Sequence, residues 1–165
     1  MNLSIDHVEN EEREWLKNFL AYYLHDLSEF AAEISPKEEG LFEFDVMDLF
    51  LEKRGKGLDA FFIKLDGAPI GFVLLQSGEY SNQEFADYVL NSFFILRKYR
   101  RKGIGSLASK MFFEMYPGRY TLGQLVGNKP AVDFWKSCYK NNSIEYYERM
   151  EVDGAEKINY QYFRV

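Results

Sequence analysis

Residues 88–116 constrain the fold most, because the sequence pattern changes twice within this one stretch. Residues 88–96 are rich in aromatic and branched side chains, a composition typical of a strand. A basic, glycine-containing segment follows at 97–105. Apolar residues then recur at helical spacing from Ile104 to Met115, and Pro117 stops the pattern. The sequence therefore predicts a strand, a basic glycine loop and a helix in direct succession.

This order of elements favours phosphate binding. A helix N-terminus presents unpaired backbone N–H groups and the positive end of the helix dipole, and glycine lets the backbone approach a ligand closely. Nothing in the chain matches a P-loop. Residues 103–108 fit the G-x-G-x-x-A dinucleotide pattern, but a hydrophilic segment separates them from the strand. Gly123 and Gln124 also stand where that pattern requires an acid.

A third phosphate-binding pattern matches better. Residues 100–105, Arg-Arg-Lys-Gly-Ile-Gly, fit the Arg/Gln-x-x-Gly-x-Gly/Ala signature of the GNAT superfamily of N-acetyltransferases. The strand residues 93–95 precede this signature at the expected distance. Residues 128–135, Asn-Lys-Pro-Ala-Val-Asp-Phe-Trp, resemble the superfamily's Asn-x-x-Ala-x-x-Phe/Leu-Tyr helix start. The chain resembles GNAT proteins over residues 58–140, and its flanks share only the order of elements.

The periodicity of the chain predicts the order β-α-α-β-β-β-α-β-α-β-β in one domain of 165 residues. Asp66-Gly67 predicts a tight hairpin. The first helix is expected to run to residue 33, and the last two strands are expected at 143–151 and 156–165. This is an α/β (α+β) architecture. The GNAT resemblance implies a mixed, mostly antiparallel central sheet, with helices on both faces and strands that diverge beside the glycine loop.

The resemblance implies an enzyme, an acetyl-CoA-dependent N-acetyltransferase. Such an enzyme would pass the acetyl group of acetyl-CoA to a primary amine of a small molecule or peptide. The amine would attack directly in a ternary complex, with no metal and no covalent enzyme intermediate. The alternative is a module of the same fold that binds and senses acyl-CoA without turnover. A nucleic-acid-binding patch at residues 97–102 is a third, less favoured interpretation.

The resemblance also assigns residues to the cofactor. The loop residues Arg100, Arg101, Lys102, Gly103, Ile104, Gly105 and Ser106 would bind the pyrophosphate, with backbone N–H donors from 101–106. Phe93, Phe94 and Ile95 would pair their strand backbone with the pantetheine arm while their side chains pack in the core. The Ile95 N–H would polarise the thioester carbonyl. Asn128 would meet the arm near its thiol end, and a role as helix N-cap is equally open.

Trp135 departs from the family pattern, because many relatives carry a tyrosine there as the acid for the coenzyme A thiolate. An indole N–H donates a hydrogen bond but does not act as an acid, so Trp135 would pack against the cofactor. Tyr139 lies one turn later on the same helix and is the candidate catalytic acid. A core position for Tyr139 is equally open. The sequence does not choose a general base.

Charge and composition limit the partners. Residues 1–52 hold 14 acidic and 3 basic residues, whereas 97–110 hold six basic and no acidic ones. The net charge of −6 disfavours nucleic acid, and the acidic first third suits a cationic acceptor. One cysteine and two distant histidines give little support for a metal site.

The sequence has no apolar run long enough to span a membrane and no signal-peptide core. A cytoplasmic protein with no membrane partner is therefore expected. The identity of the acceptor amine and the oligomeric state are not fixed by the sequence. The resemblance leaves a homodimer open.

Overall fold

A computed structural model describes all residues, 1–165. The strands are β1 (Leu3–His7), β2 (Leu58–Leu65), β3 (Ala68–Ser77), β4 (Tyr88–Ile95), β5 (Arg119–Leu125), β6 (Tyr146–Asp153) and β7 (Glu156–Arg164), and the helices are α1 (Arg13–Leu27), α2 (Met47–Glu52), α3 (Ile104–Met115) and α4 (Lys129–Asn141). The strands form one sheet in the order β1-β2-β3-β4-β5-β7-β6. Only β4 and β5 pair in parallel. The predicted fold class, a mixed and mostly antiparallel sheet with helices, is confirmed.

The sheet separates two hydrophobic clusters, because successive side chains of a strand point to opposite faces. Phe112 of α3 and Trp135 of α4 belong to the cluster on one face. Phe19 of α1 and Phe50 of α2 belong to the cluster on the other face. No residue of β5, β6 or β7 enters the α1–α2 cluster. On that side, the half of the sheet from β5 outward therefore has no helix packed over it.

Local backbone features shape the central strands. Asp66 and Gly67 take φ values of 49° and 83°, which is the geometry of the predicted tight hairpin between β2 and β3. Farther along β3, Leu74 pairs with Ser92, while Leu75 pairs with Leu90. Asn91 is therefore an extra residue on β4. Such a β-bulge bends its strand and increases the local twist.

Two predicted boundaries were wrong. α1 ends at Leu27 and not near residue 33. The N–H groups of Phe30 and Ala31 both donate to the Leu27 carbonyl. The Ala32 N–H donates to the Glu156 side chain at 3.0 Å. A contact with a distant strand thus redirects the chain. β6 begins at Tyr146 and not at 143, because Ser143 has a left-handed φ of 54° that no regular strand contains.

Candidate functional site

A gap opens in the sheet between β4 and β5. The two strands pair only at Tyr88 with Tyr120 and at Val89 with Thr121. Beyond these pairs the strands diverge and leave a cleft of about 170 Å³. The cleft is lined from α1 on one face of the sheet and from α4 on the other. The gap therefore connects the two faces of the protein through its centre.

The closed end of the gap is fastened by Asp87 and Arg119. The Asp87 carboxylate accepts a hydrogen bond from the Arg119 guanidinium at 2.8 Å and another from the Arg119 backbone N–H at 2.9 Å. These hydrogen bonds lower the pKa of Asp87 to about 2. The ion pair holds the first residues of β4 and β5 together, so that the strands diverge only from Leu90 onward.

The glycine loop and the start of α3 present a row of free donors. The backbone N–H groups of residues 101–106 have no acceptor anywhere in the protein. Arg101 and Gly103 take positive φ values of 59° and 77°. Consecutive N–H groups in such a conformation converge on a concave surface that binds anions, and here the helix dipole adds to the attraction. The loop has the geometry that the sequence predicted for it.

Of the five basic side chains at residues 97–102, Arg97 and Arg100 form ion pairs, and Lys98, Arg101 and Lys102 do not. Arg101 and Lys102 are exposed and take part in none of the ion pairs of the protein. Arg97 and Arg100 instead bind Asp26 of α1, at 2.8 and 2.5 Å. The side chain predicted at Arg100 to bind the cofactor is therefore engaged in holding the loop. Arg101 and Lys102 are available to an anion.

The pKa of Asp26 shows which force prevails at this contact. Burial disfavours the carboxylate, but the hydrogen bonds from Arg100 and Arg97 outweigh burial, and the pKa of Asp26 is lowered. Arg100 also donates to the Ile95 carbonyl at 2.6 Å and lies 5.3 Å from the centre of the Phe94 ring. The end of β4, the loop and α1 thus form one connected unit.

Gly103 and Gly105 are required in the loop for different structural reasons. Gly103 needs its positive φ, and a Cβ there would meet no atom of the protein. A Cβ on Gly105 would lie 3.0 Å from the Phe134 ring. Gly105 therefore lets α3 approach α4, whereas the sequence attributed its lack of a side chain to ligand approach.

Of the predicted strand residues 93–95, one side chain lines the cleft and two lie in the core. The Phe93 side chain lines the cleft, while Phe94 and Ile95 are buried in the two opposite clusters. The Leu96 N–H donates to Ile70 of β3. Since backbone polar groups alternate in direction along a strand, the N–H groups of Phe93 and Ile95 face β5. The diverging strands leave this edge of β4 unpaired at those residues.

Asn128 and Trp135 both line the cleft from α4. The Asn128 side chain accepts a hydrogen bond from the Ala131 N–H at 3.3 Å, so it also caps the helix. Trp135 is buried, with its ring 5.3 Å from that of Phe93 in an edge-to-face contact. The structure therefore brings these two residues to the same cavity as the edge of β4.

Tyr139 lies elsewhere. Its side chain is fully buried in the α3–α4 cluster and does not line the cleft. Its hydroxyl donates to Gln161 Oε1 at 2.8 Å, and burial raises its pKa above the ordinary value for tyrosine. The open alternative of the sequence, a core position, is the one that the structure shows.

Sequence reasoning missed four polar residues of the cleft: Tyr23, Asn91, Ser92 and Gln124. Burial raises the pKa of Tyr23, and contact with the Ser92 hydroxyl opposes this, so the phenol keeps its proton at neutral pH. Tyr23 follows the helical spacing of the other apolar residues of α1, which gives no sign of a place in a cleft. Gln124 carried a usable signal, because an amide stands on the inward face of a strand whose other inward residues, Tyr120 and Leu122, are apolar.

Charged and metal-binding groups are scarce here. No side chain that lines the cleft is charged at neutral pH. No group of three or more His, Cys, Asp or Glu residues is arranged to hold a metal ion. Cys138 is buried, and burial raises the pKa of its thiol, so it is poorly suited to act as a nucleophile.

None of the helices is both long and apolar enough to cross a membrane.

Solved structures share the fold. An acetyltransferase from Thermus thermophilus is 18% identical, with a TM-score of 0.70, and the match covers 100% of this chain and 98% of that one. The ribosomal-protein-S18-alanine N-acetyltransferase from Escherichia coli is 13% identical, with a TM-score of 0.63 and coverage of 99% and 94%. A spermidine N-acetyltransferase chimera from Vibrio cholerae and hSSAT is 14% identical, with a TM-score of 0.64 and coverage of 99% and 96%.

Sequence comparison gives the family directly. No curated protein matches the chain. A family model described as the acetyltransferase (GNAT) family matches residues 14–138, a span that includes α1, the diverging strands, the glycine loop and nearly all of α4. Members of this family use acetyl-CoA as co-substrate. Since the match covers most of the chain and its fold is that of solved acetyltransferases, the protein belongs to the GNAT family of acetyltransferases.

Proposed function

We propose that the protein is an acetyl-CoA-dependent N-acetyltransferase that acts on a primary amine of a small molecule or peptide. The observation that carries this proposal is the row of free backbone N–H groups at residues 101–106, in the loop that follows β4, a strand that lines the cleft. One seven-stranded sheet contains strands from Leu3 to Arg164, so we also propose that residues 1–165 act as a single domain.

The loop would bind the pyrophosphate of the co-substrate. Six N–H groups, with the positive end of the α3 dipole behind them, match the acceptor oxygens of a polyphosphate. Arg101 and Lys102 add two unpaired positive charges at the same place. Asp26 supports the arrangement indirectly, because it binds Arg97 and Arg100, which directly precede the free N–H groups.

The unpaired edge of β4 would bind the pantetheine arm. An arm that carries amides can pair with an exposed strand edge as another strand would. The N–H groups of Phe93 and Ile95 face the gap, and Asn128 reaches it from α4. Phe93 lies closer than Ile95 to the closed end of the gap. Its N–H is therefore the donor that we assign to polarise the thioester carbonyl, ahead of the Ile95 N–H that the sequence suggested.

Tyr23 is the best-placed proton donor. A neutral amine would bond to the acyl carbon of the thioester, the C–S bond would break, and the proton lost by the amine nitrogen would pass to solvent. The thiolate must take up a proton. Tyr23 is the only phenol that lines the cleft, and its raised pKa keeps the hydroxyl protonated at neutral pH. We therefore propose Tyr23, rather than the core residue Tyr139, for this role.

The acceptor would approach over the uncovered face of β5, β7 and β6. Tyr147 and Tyr162 stack there with ring centres 4.8 Å apart, and Phe85 lies 6.4 Å from Tyr162. The Tyr160 ring lies over Gly123, at 2.9 Å from where a Cβ would stand. Aromatic faces attract ammonium groups. The related structures named for ribosomal-protein-S18-alanine and for spermidine support an amine acceptor in general and do not select one.

A second candidate function is acyl-CoA binding without turnover. It is favoured by one observation, the absence of any carboxylate or histidine among the residues that line the cleft. With Trp135 in the position of the family tyrosine, a general base and the usual acid are both missing from their expected places. Such a protein would bind acetyl-CoA and release no thiol in the presence of amines.

Isothermal titration with acetyl-CoA tests the proposal. The wild-type protein is expected to bind saturably, and Lys102→Glu is expected to weaken binding roughly tenfold or more. Lys110→Glu is the matched control, because it makes the same charge change on α3 beyond the loop and should bind as the wild type does. A screen of amines for thiol release then separates enzyme from sensor. A folded wild-type protein that binds no acetyl-CoA would overturn both functions.

A further inference from the structure

A chain of polar side chains runs from the protein surface to the cleft beneath α4. Lys136 of α4 and Glu148 of β6 form an ion pair of 3.2 Å. Glu148 accepts a hydrogen bond from Gln161 Nε2 at 3.1 Å. Gln161 Oε1 in turn accepts from Gln124 Nε2 and from the Tyr139 hydroxyl, both at 2.8 Å. Four elements, α4, β6, β7 and β5, are joined through this chain.

The charge on Glu148 fixes the direction of both amides. An ionised carboxylate only accepts hydrogen bonds, so Gln161 must turn its Nε2 toward Glu148 and its Oε1 away. That oxygen requires donors, so Gln124 must in turn present its own Nε2. The nitrogen and oxygen of an amide are otherwise hard to tell apart from atomic positions, but a charged terminus leaves one consistent assignment here.

Glu148 is ionised under ordinary conditions. Partial burial disfavours its charge, but hydrogen bonds from Gln161 and Lys136 outweigh burial, so its pKa lies below the ordinary value. The other groups that face it are Asn159 and, through Gln161, the Tyr139 hydroxyl. All of them are hydrogen-bond donors toward the carboxylate or toward the amide it orients.

The last oxygen of the chain has no partner. Gln124 Oε1 accepts no hydrogen bond in the protein. The residue is only 6% exposed, so the oxygen is also shielded from bulk water. Gln124 lines the cleft. Buried acceptors without a donor are rare in folded proteins. Asn159, which lies opposite Gln124 on β7, also has an unpartnered oxygen, but Asn159 does not line the cleft.

We propose that Gln124 Oε1 is the binding point in the cleft for an N–H donor of a substrate, and that Glu148 holds it in the accepting orientation through Gln161. This inference rests on the proposed function. Two sources of N–H would reach the cleft, an amide of the pantetheine arm and the acceptor amine. Gln124 transfers no proton, because an amide oxygen is not a base at neutral pH. Its contribution is to position the group that it binds.

Gln124→Met tests the binding point, because methionine is similar in length but has no strong acceptor. The measurements are the Kd of acetyl-CoA by titration and the KM of the amine found in the screen. A rise of about tenfold in the Kd would identify the arm as the source. A similar rise in KM alone would identify the amine. If neither changes, water satisfies Gln124 Oε1 and the inference is wrong. Gln83→Met is the control, because Gln83 is exposed and does not line the cleft, and it should change neither constant.

Glu148→Met tests the orientation, and its surface position makes loss of folding a small risk. It is expected to weaken the same constant as Gln124→Met. In the Gln124→Met background it should cause no further loss, since the oxygen that it orients is gone. Losses that simply add in the double variant would overturn the coupling.

The test also separates the two proposals. A wild-type protein that binds acetyl-CoA while Gln124→Met behaves identically would overturn only this inference. A wild-type protein that does not bind acetyl-CoA would overturn the proposed function and this inference with it.

Discussion

Asp26 and Arg100 form an ion pair, with Oδ2 and Nη2 only 2.5 Å apart. Asp26 lies on α1, while Arg100 lies in the loop that precedes α3. Arg97 donates to the same carboxylate, and Arg100 also donates to the Ile95 carbonyl. The loop with the free N–H groups is therefore held by a residue more than seventy positions earlier in the chain.

Asp26→Asn is expected to loosen the loop without removing any group that would touch acetyl-CoA. The neutral amide keeps one acceptor but loses the charge, which should cost about 1 kcal/mol of binding free energy, or roughly fivefold in the Kd of acetyl-CoA. Titration calorimetry measures this. Asp48→Asn is the control, because Asp48 makes a similar two-bond pair with Arg13 away from the loop. Equal effects of the two variants would contradict a role for Asp26 in the loop.

Tyr23→Phe should lower kcat by about a hundredfold, because the leaving thiolate would lose its proton donor. The Kd of acetyl-CoA should remain within a factor of about two, since phenylalanine keeps the ring that packs against Phe72 and Phe94. The measurements are steady-state thiol release and calorimetric titration.

Tyr139→Phe is the matched comparison for Tyr23→Phe. It removes the hydroxyl that donates to Gln161 Oε1 and should reduce the free energy of unfolding by about 1 kcal/mol. Its kcat should change far less than that of Tyr23→Phe. The opposite result, a large loss of kcat in Tyr139→Phe alone, would restore the role that the sequence gave to Tyr139.

Gly103→Ala should weaken acetyl-CoA binding by distorting the loop. Gly103 has a φ of 77°, which costs an alanine about 1 kcal/mol. Gly67→Ala is a control with the same backbone cost, since Gly67 has a φ of 83° and its Cβ would also meet no atom. Thermal unfolding should show similar destabilisation in both variants. Only Gly103→Ala should raise the Kd of acetyl-CoA, and parallel behaviour in titration would argue against the loop as the binding site.

Asp87 should make stability depend on pH in the acid range. Hydrogen bonds from Arg119 lower the pKa of Asp87 from 3.8 to about 2 in the folded protein. A lowered pKa means that the contribution is complete above pH 3.8 and is lost as the pH falls toward 2. The Tm of Asp87→Asn should therefore be below that of the wild type at pH 7, and the difference should shrink between pH 4 and 2.

The control for Asp87 is Asp133→Asn, because Asp133 is exposed on α4 and its carboxylate accepts no hydrogen bond from an arginine. Its Tm should follow that of the wild type at every pH. A constant difference between Asp87→Asn and the wild type down to pH 2 would show that the carboxylate charge does not fasten the closed end of the gap.

The order of elements, the hairpin at Asp66-Gly67 and the glycine loop before α3 were all predictable from local sequence patterns. These features depend on interactions within a few residues: apolar spacing, the φ preference of glycine and the free donors of a helix start. The family resemblance followed from the same local pattern, and the match to the family model confirmed it.

Which polar side chains meet in the cleft depends on the packing of distant parts of the chain, and local patterns did not predict it. Tyr23 reaches it from α1, Ser92 from β4 and Gln124 from β5. Tertiary packing also buries Tyr139 in the core and pairs Arg100 with Asp26. Helical and strand periodicity predicts which face of its element a residue occupies, but not which other elements that face packs against. That depends on where the sheet opens and how the helices pack across it, which are contacts between residues far apart in the chain.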